Sequence, residues 1–236
     1  MNEVISKDKA SSVSAMTTSQ FAARLSFGAA ITALVMLGAL HVLSPEFAPS
    51  WRMVSEYANG QHGWVLSLMF ASWAISAWAL GYAIWPQVKT IGGKIGLVLL
   101  VAAGIGEAMG GLFDINHPLH GLAAMVGIPT FPIAAMLISV SLSRTQSWSN
   151  ARKALLWIAN LTWISVLLMA GTFILMIVTF IQAGGDMTAD ATAVTTLPSG
   201  VIALVGWANR VLIVVYNAWV MVVASRTAQI SSSTSL

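Results

Sequence analysis

The sequence predicts an all-α polytopic bundle of six transmembrane helices with both termini cytoplasmic, and three observations carry that prediction. The chain of 236 residues is 57% hydrophobic and 8% charged, where a soluble domain carries about a quarter of its residues as charges; too few are present to coat a water-facing surface. Six apolar windows reach the length of about 20 residues needed to cross about 30 Å of hydrocarbon. The basic residues alternate with acidic ones from loop to loop, as the rule that keeps Lys and Arg on the cytoplasmic side requires.

The windows are 21–43, 63–85, 93–113, 119–142, 154–182 and 200–225. The segment 1–20 is a polar, Ser- and Thr-rich tail expected to be disordered, 21–225 is one membrane domain, and 226–236 is a second cytoplasmic tail. The first window is longer than a signal-peptide core and meets no small-residue cleavage pattern, so it is expected to remain as an anchor. Lys7, Lys9 and Arg24 outweigh Glu3 and Asp8 at the N-terminus; Lys89 and Lys94 mark the second loop, Arg144, Arg152 and Lys153 the fourth, and Arg226 follows the last span. The odd loops carry Glu46, Arg52 and Glu56, then Asp114, then Asp186 and Asp190. This pattern predicts a multi-pass protein of the cytoplasmic membrane whose partners are membrane lipids; the basic residues sit at span ends and form no block that would bind nucleic acid. Trp51, Trp64, Trp85 and Trp148 lie at span edges, where amphipathic rings meet headgroups.

In the first loop, Ser50 is placed to cap a short helix over 51–58 that Asn59-Gly60 ends. The fifth loop, 183–199, is small and polar and is expected to be mobile. In the fourth window Gly127-Ile128-Pro129-Thr130-Phe131-Pro132 predicts a kink that frees the carbonyls of Met125 and Ile128. The bland reading is a packed kink, the sharper one a pocket beside it. The pairs Gly92 with Gly96 and Gly106 with Gly110 predict close packing of the third helix on a neighbour.

Ionisable residues inside a bilayer ask for partners or water. Glu107 and Arg210 fall at about 10 and 15 Å below the outer boundary at about 1.5 Å per residue, so an ion pair between the third and sixth helices is expected. Such a pair either holds the helices together or has one member bind a substrate group or relay a proton, and Asn209 and Asn217 would extend it into a polar track. The second polar collection is the turn between the third and fourth helices. Asp114, His117 and His120 stand three apart there, a spacing that shares a face in helical or turn conformation. His41 and His62 belong to the same side of the membrane. Imidazole and carboxylate groups can hold a metal, and satisfied interfacial histidines are the alternative; a heme bridge is disfavoured because the histidines crowd one edge. No cysteine is present, which removes disulfide and thiolate chemistry. Phosphate-binding glycine loops, nucleophile elbows and zinc-protease helices are missing from the sequence.

Ser55-Glu56-Tyr57, Gly60 and Gly63-Trp64 after the first helix, Gly111-x-Phe113-Asp114-x-x-His117-Pro118 with His120-Gly121-x-Ala123-Ala124 before the fourth, and Phe131-Pro132-x-Ala134 within it resemble the domain of unknown function 998 family. The resemblance spans about 25–225. It implies a compact six-helix membrane bundle and points to Ser55, Glu56, Asp114, His117 and His120 as matching positions, without naming a reaction or a cofactor. The function expected from the residues is that of a membrane protein whose extracytoplasmic pocket binds a small ligand or lipid headgroup through Glu56, Glu107, Asp114, His117, His120 and Arg210. An intramembrane metal-dependent lipid hydrolase and, less well matched, a b-type cytochrome are the alternatives.

Overall fold

A computed structural model describes residues 2–186 and 194–233, with side chains described over 18–186 and 194–230. Among these residues the chain is all-helical, in the order α1 (Asn2–Leu43), α2 (Gly63–Ile84), α3 (Ile91–Leu112), α4 (His120–Ser143), α5 (Arg152–Gln182) and α6 (Val205–Ser233). Short 3₁₀ helices at Val54–Asn59 and Gln146–Ala151 sit in the first and fourth connections. All six long helices contain a stretch long and apolar enough to cross a membrane. The backbone of the polar segment 2–17 is helical and continuous with the first span.

Each helix packs on the next, and α6 closes the ring against α1 while also touching α2 and α4. The buried core reflects that arrangement: Leu40 of α1, Met69 and Leu80 of α2, Leu100 of α3, Phe131 and Ile138 of α4, and Tyr216 and Trp219 of α6 are all closed to solvent. The peripheral helix is α5. Its buried residues, Leu155, Ala159, Thr162 and Ser165, all lie in its first half, and beyond Ser165 none is buried.

Small residues set the α3–α4 crossing. A methyl group on Gly106 would stand 2.5 Å from the backbone nitrogen of Gly127, and one on Gly96 would stand 3.0 Å from Ile138, so these positions admit backbone where a side chain would intervene. Gly110 instead faces Phe70 of α2. The proline-driven change in α4 follows the expected chemistry. Pro132 has no N–H to give the carbonyl of Ile128, and the Tyr216 hydroxyl of α6 supplies that bond at 2.8 Å. Phe131 stacks on the same tyrosine ring, with centroids 4.1 Å apart, so the helix break is packed against protein.

Three local expectations are corrected, and one lies partly outside the described residues. Helix α6 begins at Val205 instead of 200, because Gly200 adopts a φ of 91° in a turn and residues 201–204 run on without helical structure. The first-loop helix is a 3₁₀ turn starting at Val54, and its free N–H at Met53 is taken by the Glu56 carboxylate at 2.7 Å; Ser50 instead gives its carbonyl to Gly206 at 2.9 Å. Trp148 does not face headgroups: it is fully buried and donates to Gln87 at 2.8 Å, tying the α4–α5 connection to the α2–α3 connection. Part of the fifth loop, including Asp190, lies outside the described residues.

Candidate functional site

The α1–α2, α3–α4 and α5–α6 connections meet at one end of the bundle, and the four histidines all belong to that end. The first connection is folded inward onto α6. Gly206 makes this possible, since a methyl group there would lie 2.7 Å from the Arg52 carbonyl. Val54 donates to the Asn209 side chain at 2.9 Å, and Arg52 pairs with Glu56 at 2.6 Å and donates to the carbonyl of Val194. Gly60 lies against Phe47 and Gly63 against the Ala58 backbone, so the glycines of this segment are the places where it turns tightly on itself.

Beneath this plug lies a cavity enclosing about 720 Å³ of empty space, its open mouth included. Met53, Val54 and Ser55 form its lid, Phe70 and Trp73 its α2 wall, and Ile128, Met169 and Leu212 bring apolar surface from α4, α5 and α6. Four helices contribute polar residues to the lining: Trp73, Glu107, His120 and Asn209. Glu107 is 4% exposed, and neither of its carboxylate oxygens has a hydrogen-bond partner among the described residues. The indole N–H of Trp73 is likewise buried and unpartnered. A buried carboxylate without a partner costs several kcal/mol, so the site is built around an unmet need for a donor.

The other two polar groups are held in place by the surrounding backbone. His120 opens α4, and its Nδ1 lies 3.0 Å from the Phe113 carbonyl at the end of α3. Asn209 points its oxygen at Val54 and leaves its amide nitrogen only a sulfur contact, 3.5 Å from Met169.

The expected pairing of Glu107 with Arg210 is not formed. Arg210 lies on another face of α6 and is 5% exposed, and its guanidinium donates to His41, to the carbonyls of Arg52 and Gly206, and to the Tyr57 hydroxyl. Of the six residues expected to line one pocket, Glu107 and His120 line the cavity. Glu56 is spent on Arg52 and on the Met53 N–H. Asp114 accepts from Asn116 at 2.9 Å, and His117 stacks on Phe113, with centroids 4.2 Å apart, and accepts from Leu119. The spacing of three did not gather Asp114, His117 and His120 because residues 114–119 form turns and helix begins only at His120. Among the described residues no three His, Asp or Glu side chains form a set able to hold a metal ion. Of the expected polar track, Asn209 lines the cavity, while Asn217 bonds back to the Ile213 carbonyl within its own helix. Trp73 and Ser55 complete the polar part of the lining. Trp73 had a signal in the sequence that went unread: it is a tryptophan near the middle of a span instead of at its edge.

Fold and cavity together define a multi-pass membrane protein of six apolar helices with a cavity between them. The family model described as "Protein of unknown function (DUF998)" matches residues 27–226, and the chain belongs to this domain of unknown function 998 family. No curated protein and no solved structure matches the chain.

Proposed function

We propose that this protein binds a small amphiphilic ligand, either a lipid headgroup or a small molecule, in the chamber beneath the first loop. The observation that carries the reading is the Glu107 carboxylate, buried and without a hydrogen-bond partner among the described residues. A polar side chain at that depth is expensive unless something meets it, and pockets that combine apolar walls with a few converging polar groups are the usual form of ligand sites.

The chamber faces the extracytoplasmic side of the cytoplasmic membrane in this reading. Lys89, Lys94, Arg144, Arg152, Lys153 and Arg226 sit toward the opposite end of the bundle, and Glu46, Glu56, Asp114 and Asp186 belong to the chamber end. Entry is lateral, from the lipid. Met169 is the α5 residue on the cavity, and it stands just past Ser165, where α5 ceases to bury residues against its neighbours.

Native mass spectrometry of protein purified in a neutral detergent tests the reading. The expected result is a retained adduct of defined mass that disappears in Ala124→Trp, which fills the chamber, and persists in Leu122→Trp, which faces outward on the same helix. A bare protein mass, or an adduct indifferent to Ala124→Trp, would contradict it.

A further inference from the structure

The chamber's polar groups differ in hydrogen-bonding sense, and the difference reports on the ligand. Glu107 contributes two acceptor oxygens. In its neutral form His120 contributes a third acceptor: the Phe113 carbonyl beside its Nδ1 can only accept, so Nδ1 carries the hydrogen of the neutral ring and Nε2 presents a lone pair. That Nε2 has no hydrogen bond among the described residues.

Among the described residues no lysine or arginine lines the chamber to answer these acceptors. Arg210, adjacent in sequence to the lining residue Asn209, is turned away and committed to four partners. Phe70 and Trp73 stand on the wall as a near-parallel pair, with centroids 6.0 Å apart and planes at 14°. Aromatic faces attract cations, most strongly where water is excluded. A metal ion would want several oxygen or nitrogen ligands in a closed geometry, whereas this chamber offers one carboxylate and one imidazole among apolar walls.

From this we infer that the ligand bears a protonated amino group on an apolar body. The ammonium meets Glu107 and donates to Nε2 of His120, and the apolar body lies along the walls. Trp73, Asn209 and Ser55 are the lining residues that carry donors for an acceptor oxygen next to that amine. The inference rests on reading the chamber as a ligand site. Amine-bearing lipid headgroups and free organic amines share the chemistry.

Calorimetric titration of the full chain in a neutral, amine-free detergent tests it with octylamine, octanol and octanoate, which share one chain length. Octylamine is expected to bind saturably and about 10- to 100-fold more tightly than octanol, the range of a charge-assisted hydrogen bond to a buried partner. Glu107→Gln is expected to bring octylamine down to the level of octanol and to leave octanol unchanged. Equal affinities of octylamine and octanol in the unaltered protein would overturn the amine assignment while leaving the chamber a binding site. Tighter binding of octanoate would overturn it too. Failure of all three to bind would overturn the ligand-site reading and the inference with it. The unaltered protein decides between these results even if Glu107→Gln does not fold. With octylamine bound, competition by a lysolipid with an ethanolamine headgroup but not by one with a glycerol headgroup assigns the amine to lipid. Competition by neither assigns it to a free amine, and both results support the inference.

Discussion

Arg210 of α6 donates from Nε to Nε2 of His41 on α1 across 2.6 Å, and only one arrangement of hydrogens permits it. A guanidinium has no acceptor, so Nε2 must offer its lone pair, and Nδ1, 2.7 Å from the Leu37 carbonyl, carries the hydrogen. The α1–α6 seam thus closes the ring through a buried cation whose partners are a histidine, a tyrosine hydroxyl and two carbonyls, with no carboxylate among them.

His41→Ala leaves Nε of Arg210 without an acceptor in a buried site, and the expected loss is about 1–3 kcal/mol of stability. His41→Gln can place a carbonyl oxygen near the same point and is expected to cost less. Unfolding in mixed micelles, followed by circular dichroism, measures the difference. Equal stability of His41→Ala and the unaltered protein would show that the bond is not used.

The α3–α4 crossing predicts an asymmetry between two glycines that face each other. A methyl group on Gly106 meets Gly127 backbone at 2.5 Å, whereas one on Gly127 finds its nearest neighbour at 3.6 Å, ordinary contact distance. Gly106→Ala is therefore expected to force the helices apart at a cost of about 1–3 kcal/mol. Gly127→Ala is expected to fall well short of that, and the same unfolding assay ranks the two.

Tyr216 and Pro132 are coupled through a carbonyl that neither owns. Tyr216→Phe strands the Ile128 carbonyl and is expected to cost about 1–2 kcal/mol. In Pro132→Ala the helix can supply its own N–H to that carbonyl, so the tyrosine should matter less. A double-mutant cycle checks this, and additive effects would remove the coupling.

Topology is testable without background, since the chain has no cysteine. Asn116→Cys, in the α3–α4 turn, is expected to react with a membrane-impermeant maleimide on intact cells, and Ser147→Cys, in the α4–α5 connection, only after permeabilisation. The reverse pattern would invert the proposed orientation.

The spans were legible because length and hydropathy are properties of the chain alone. The start of α6 was not, because its first residues are apolar and only the contact of Gly206 with the folded first loop marks where helix begins. The Glu107 and Arg210 pairing failed for a related reason. Position along a span gives depth, which placed both residues toward the same end, but says little about rotation around the axis, and Arg210 turns toward α1 and the first loop. Glu107 and His120 were readable as candidates because ionisable groups near or inside spans are costly wherever they point. Asp114 and His117 satisfied themselves locally, in bonds set by turn geometry that residue spacing does not reveal.

In the proposed reading Glu107, without a hydrogen-bond partner among the described residues, stands in a chamber reachable from the lipid. Labelling the protein in lipid nanodiscs with a hydrophobic carbodiimide, followed by peptide mass spectrometry, addresses it directly. Modification at Glu107 is expected, suppressed by the filled-chamber variant Ala124→Trp and unaffected by Leu122→Trp. A Glu107 that stays unmodified in the folded protein but reacts once the chain is unfolded would contradict it.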